Sequence, residues 1–140
     1  MKKNVMLSVR GRQQYKDQEP DIIELVTEGT LEYRDNGWDI IYHESELTGL
    51  AGVVTCFRIE QDKVVLTRTG KLNSQMVFQT GVKHDSLYQM EFGALMITVC
   101  ANRIIVDMDE NGGVIDLIYD IEIEHSTAGQ IDYHLDIALK

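Results

Sequence analysis

Two charged residues stand where an alternating strand pattern calls for apolar ones. Val64, Leu66 and Arg68 share one face of a run whose intervening residues are Val65, Thr67 and Thr69. Trp38, Ile40, Tyr42 and Glu44 share one face of another. Residues two apart in a strand lie on the same side, so parity turns Arg68 and Glu44 toward the apolar side. An isolated charge withdrawn from water is very costly, which makes the two natural partners. A guanidinium on an apolar wall can hold a ligand carboxylate or another anion, oriented by the hydroxyls of Tyr42, Tyr88 and Tyr119. Thr55, Trp38 and Phe57 lie on the same inward faces and complete the candidate lining. The pair reads equally as a structural ion pair inside a filled core. Acid–base catalysis by Glu44 needs a second group, and the sequence indicates none, so no catalytic residue is assigned.

The other reactive side chains give less. His43, His84, His125 and His134 form no pair with ligand spacing, so no metal site is expected. Cys56 and Cys100 have no neighbouring histidine or basic cluster and read as buried, inert thiols. Ser45, Ser74 and Ser126 lack a nucleophile-elbow context. Gly49 to Gly52 and Gly112-Gly113 are too short, and too far from any helix start, to cradle a phosphate. Asp107, Asp109 and Glu110 read as a solvated acidic rim rather than a calcium site. No cofactor is expected.

Strands must position these groups. Gly93 to Ile123 reads as two long strands joined at Glu110-Asn111-Gly112-Gly113, where Asn-Gly predicts a hairpin whose central residues have positive φ. In the second arm Ile115, Leu117, Tyr119, Ile121 and Ile123 alternate with acidic residues, the pattern of one dry and one wet face. Between Leu95 and Ala101 both faces are semi-apolar, and beyond Arg103 the even positions are dry, so a bulge or break is predicted near Asn102. Val5 to Arg12 is a first strand and Tyr15 to Asp21 a polar connection. A second strand runs from Ile23 to Tyr33, with Gly29 suggesting a bend or bulge. Asp35-Asn36-Gly37 is a hairpin turn, and Glu46 to Gly52 a loop. Val53, Thr55, Phe57 and Ile59 face inward on a fourth strand, and Met76 and Phe78 continue the pattern after Arg68. Gly81-Val82-Lys83 is read as a turn, and Tyr88, Met90 and Phe92 as an inward face. Ile131, Tyr133, Leu135, Ile137 and Leu139 form the inward face of the last strand.

No segment carries a helical stripe. About eight to ten short strands joined by tight turns predict an all-β fold, a single antiparallel up-and-down barrel occupying residues 1–140 as one domain. Tyr, Thr, Glu and Arg on otherwise dry faces favour a closed lumen over a flat core, and closure removes exposed sheet edges.

Composition excludes several classes. Lys plus Arg number 13 and Asp plus Glu 23, a net charge of −10. Nucleic acids and anionic membranes need a basic face, so neither is an expected partner. No apolar run approaches the ~20 residues of a membrane span. Met1-Lys2-Lys3 opens like a signal peptide, but Ser8, Arg10 and Arg12 interrupt any apolar core, and a cytoplasmic location is expected. Outward-facing Ile22, Val26, Ile41 and Val54 suggest a partner or homodimer surface.

Tyr42-x-Glu44, Gly49 and Gly52, Thr55, Arg68-x-Gly70, Met76-x-Phe78, Tyr88, Phe92-Gly93 and Tyr119 follow one another in an order that resembles the YwiB-like family, calycin-type, lipocalin-like β-barrel proteins. The resemblance covers essentially the whole chain. It implies a small closed barrel with an interior cavity and implies no particular activity. True lipocalins open with Gly-x-Trp on the first strand, whereas Gly37 and Trp38 are adjacent and follow the second. Fatty-acid-binding proteins insert a helix pair, for which Lys16 to Asp21 is too short. Ligand classes of those families therefore carry over only by analogy. The expected function is non-enzymatic binding of a small amphipathic or anionic molecule in the lumen. The alternative is a structural or interaction module with a filled core.

Overall fold

The computed structural model describes residues 2–15, 18–46 and 50–140. Ten antiparallel strands follow one another in chain order: β1 (Lys2–Tyr15), β2 (Asp21–Arg34), β3 (Gly37–His43), β4 (Val53–Ile59), β5 (Val64–Gly70), β6 (Ser74–Phe78), β7 (Lys83–Met90), β8 (Gly93–Asp109), β9 (Gly112–Ile123) and β10 (Ser126–Leu139). Each pairs with its sequence neighbour except β6 with β7, and β1 pairs with β10. The result is an up-and-down barrel, all-β as expected and nearly closed. Its seam lies between β6 and β7, held by the single bridge Asn73↔Gln89 and by the connecting turn, where Gln79 pairs with Val82 and Thr80 with Ala101. Of the expected Glu46 to Gly52 loop, residues 47–49 lie outside the described residues, as do two residues, 16 and 17, of the first connection.

Turn chemistry sets the register. At Asp35-Asn36 both central residues have left-handed φ, 50° and 61°, the backbone that matches the twist of the flanking strands. Glu124-His125 turns the same way, with φ 51° and 65°. The β8–β9 hairpin differs from expectation. Its central residues are Glu110 and Asn111, since Asp109 pairs with Gly112, and the left-handed φ values, 117° and 150°, fall on Gly112 and Gly113.

The long strands bend where the pattern predicts it. The register of β8 shifts between Ala101 and Arg103 as expected, but of the even positions beyond it Ile104 and Met108 are half-buried and Val106 is exposed. No bulge occurs at Gly29, a correction: the β1 ladder passes through it without a shift, and the β3 ladder ends at it. Its role is space: a Cβ there would lie 2.6 Å from the Ile41 carbonyl and 2.8 Å from Leu7 Cδ1. The Tyr88, Met90, Phe92 face is a second correction. Strand β7 begins at Lys83, inside the expected turn, and Phe92 sits in the β7–β8 turn with 97% of its surface exposed.

The core fills one end of the barrel. Leu7, Ile40, Phe57, Leu66, Phe78 and Leu117 are fully buried, each contributing about 1.5–3 kcal/mol of apolar burial. Trp38 packs here against Tyr33, ring centroids 4.8 Å apart. Among the described residues, no helix is long and apolar enough to cross a membrane.

Candidate functional site

The hollow end carries the site. A cavity of about 380 Å³ opens toward the turns that join β1 to β2, β7 to β8 and β9 to β10. Its walls are apolar over Val9, Leu25, Ile97, Ile121, Ile123 and Ile131, with Leu50, Leu95 and Met76 beside them. Five tyrosines, Tyr15, Tyr42, Tyr88, Tyr119 and Tyr133, also line it. Arg68 and Glu44 are the charged residues of the wall among the described residues.

Register explains how these groups meet. Tyr42 of β3 pairs with Thr55 of β4, Thr55 with Arg68 of β5, and Arg68 with Ser74 of β6. The bridge Asn73↔Gln89 then sets Ser74 beside Tyr88 of β7. Cross-strand partners project to the same side. The inward residues of five strands therefore form one polar row, which crosses the seam.

Glu44 is buried and Arg68 largely so. Their side chains are 13% and 2% accessible, with Arg68 Nε 3.9 Å from Glu44 Oε2. Thr55 Oγ1 donates to the same Glu44 oxygen at 2.5 Å. A unit pair at this separation attracts by about 4 kcal/mol at an effective dielectric of about 20, set against the cost of desolvating both ions. Burial opposes the charge on Arg68, but Tyr133, Tyr119, Glu44 and Tyr42 outweigh it, and its pKa lies above the ordinary arginine value.

Tyr42, Tyr119 and Tyr133 are kept protonated. Burial raises the pKa of Tyr42 far above that of a free phenol, and Tyr133 and Glu44 add to the shift. Burial raises Tyr119 and Tyr133 as well, and the Arg68 charge only partly offsets it. The Tyr42 and Tyr133 hydroxyls are hydrogen-bonded at 3.0 Å, linking β3 to β10 through the interior.

Three buried side-chain polar atoms have no hydrogen-bond partner among the described residues: Arg68 Nε, Ser74 Oγ and Ser86 Oγ. Leaving a buried donor unsatisfied costs about 1–3 kcal/mol. All three lie on β5, β6 and β7, the strands at or beside the seam.

Of the residues expected from the sequence, Arg68, Glu44, Tyr42, Tyr88 and Tyr119 line the cavity together. Thr55 is fully buried behind Glu44. Phe57 packs its ring 5.5 Å from that of Tyr133, and Trp38 lies near Lys3, Leu31 and Glu110 at the filled end. Tyr15 and Tyr133 were not among the expected site residues. Tyr15 falls in the expected connection but is the last residue of β1. Tyr133 shares its inward face with Leu135, and parity alone could have added it.

Outside the barrel, His134 lies between two carboxylates, with Nδ1 2.5 Å from Asp116 and Nε2 3.0 Å from Asp136. The hydrogen bond to Asp116 is the largest of the effects that raise its pKa. On the outer face of β3, Asp39 is bound by Arg34 at 2.6 Å and faces Arg58 at 3.4 Å.

Comparison with known proteins agrees with this architecture. The chain is 28% identical over 107 residues to the uncharacterized β-barrel protein YwiB of Bacillus subtilis (strain 168), a match covering 76% of this chain and 74% of that protein. The crystal structure of ywiB protein from Bacillus subtilis superposes with a TM-score of 0.83 at 24% identity, covering 96% of this chain and 92% of that one, and supports the fold alone. Residues 7–137 match the model of the family described as "Domain of unknown function (DUF1934)". The chain therefore belongs to this family of YwiB-like β-barrel proteins.

Proposed function

We propose that this protein is a cytoplasmic, non-enzymatic binding protein of calycin type, which takes a small amphipathic or anionic molecule into its lumen. The observation that carries the reading is an arginine, its Nε lacking a hydrogen-bond partner, set with Glu44 in the wall of a 380 Å³ cavity that is otherwise mostly apolar and tyrosyl. Small-molecule sites have this volume and this mixture of apolar wall and few polar anchors. Arg68 anchors the head group, Tyr42, Tyr88 and Tyr119 orient it, and the isoleucines and leucines of the wall take the tail. Both cysteines are free thiols, in keeping with a reducing compartment.

Native mass spectrometry of the protein purified from its own host tests this. The expected result is a retained small molecule that Arg68→Met loses while keeping its β-sheet circular dichroism. Protein that carries nothing, and whose melting temperature no amphiphile raises, would overturn the reading.

A second reading, an interaction module, draws on Val26 and Ile22, which are 70% and 50% exposed on the outer face of β2. A chain that stays monomeric at high concentration removes it.

A further inference from the structure

The charges of the cavity select among head groups. This step rests on the lumenal-binding reading. Arg68 brings one positive charge to the wall and Glu44 one negative charge, 3.9 Å apart. The wall is therefore balanced before any ligand enters. A carboxylate bound at Arg68 would leave a net negative charge in a site largely withdrawn from water, close to Glu44. Burying an uncompensated charge is far costlier than burying a hydrogen-bonded neutral group.

The unsatisfied atoms sharpen this. The Arg68 guanidinium of the wall can only donate, and its buried Nε, though ion-paired with Glu44, has no hydrogen-bond partner. Ser74, its register partner across β5 and β6, lies behind the wall, and its buried hydroxyl has no hydrogen-bond partner either. The phenols of Tyr42 and Tyr119 are held protonated by burial, so they too can donate. The wall thus has donors to spare and its charge already matched. What it lacks is an acceptor that brings no charge.

We propose that the ligand's head group is an uncharged hydrogen-bond acceptor, a carbonyl of the amide or ester class, received by the Arg68 guanidinium in the cavity wall, and that Glu44 is the residue that discriminates against free carboxylates. With Glu44 neutralised, Arg68 becomes an unbalanced cation and the preference reverses.

The test is calorimetric titration of the whole chain with octanamide, octanoate, octylammonium and octane. Wild type is expected to bind octanamide at least about tenfold more tightly than octanoate, about 1.4 kcal/mol, with octylammonium and octane weaker still. Glu44→Gln is expected to shift the ratio toward octanoate by a similar factor. Octanoate binding as well as octanamide, or octane binding as well as either, overturns the proposal while leaving lumenal binding intact. No binding by any of the four removes the lumenal reading itself. If Glu44→Gln does not fold, the wild-type ranking alone decides.

Discussion

Arg68 lies on β5 and Glu44 just past the end of β3, with Thr55 of β4 between them, so one oxygen of Glu44 answers both a hydroxyl and a guanidinium. Such a trio is held together by mutual need more than by net attraction, because each ion was costly to desolvate. Removing one ion exposes that cost. Arg68→Met is expected to destabilise the fold by about 3–5 kcal/mol, since Glu44 loses its counter-charge. Adding Glu44→Gln to Arg68→Met removes the stranded charge, so the double variant is expected to lose about 1–3 kcal/mol less than the sum of the singles. Urea midpoints of the four proteins measure this. Strict additivity would mean that the two residues are neighbours without coupling.

At the scale of the element, the turns carry an asymmetry that can be exploited. Asp35-Asn36 and Glu124-His125 have the same left-handed geometry, but Asn suits it and His is less suited. His125→Gly removes the Cβ penalty and is expected to raise stability by about 0.5–1 kcal/mol, after the entropy that glycine adds to the unfolded chain. Glu124 is best left in place, because its Oε1 accepts from the Met96 amide at 2.9 Å. Gly113→Ala is expected to do the reverse, as its Cβ would fall 1.9 Å from the Asp107 carbonyl. Melting temperatures moving in opposite directions check both. The same contrast shows what was readable in advance. Strands whose two faces differ sharply in polarity, such as β9 and β4, declared their inward residues through parity, and the change of parity after Asn102 located the bulge. Parity failed at Phe92 because it continues the Tyr88, Met90 alternation into a turn. It could not supply Tyr133 as the partner of Tyr42, a contact 91 residues apart that exists only because β1 pairs with β10. Alternation tells which side a residue faces. It does not tell the level at which it sits around the barrel, and that is why Trp38 and Phe57 came out at the filled end.

For the molecule as a whole, the closure is uneven. The β1–β10 ladder runs without interruption from Val5↔Leu139 to Tyr15↔Gly129, while β6 meets β7 at one bridge. Strand β7 therefore has a ladder on only one side along most of its length. Such an edge invites pairing with another chain unless charge blunts it, and Lys83 and Asp85 lie exposed on it. The weak seam coincides with Ser74 and Ser86, whose buried hydroxyls have no partners, and with Arg68 one strand away. The polar row thus lies where the barrel opens most easily, and local opening there has the lowest cost in broken hydrogen bonds. Amide hydrogen exchange is expected to be fastest in β6 and β7 and slowest in β1, β9 and β10. A ligand held at Arg68 would tie β5 to the seam strands, so binding is expected to slow exchange in β6 and β7 more than anywhere else. Uniform protection around the barrel, or ligand protection confined to β1 and β10, would mean that the seam is as tight as the rest and that the polar row has no part in access to the lumen.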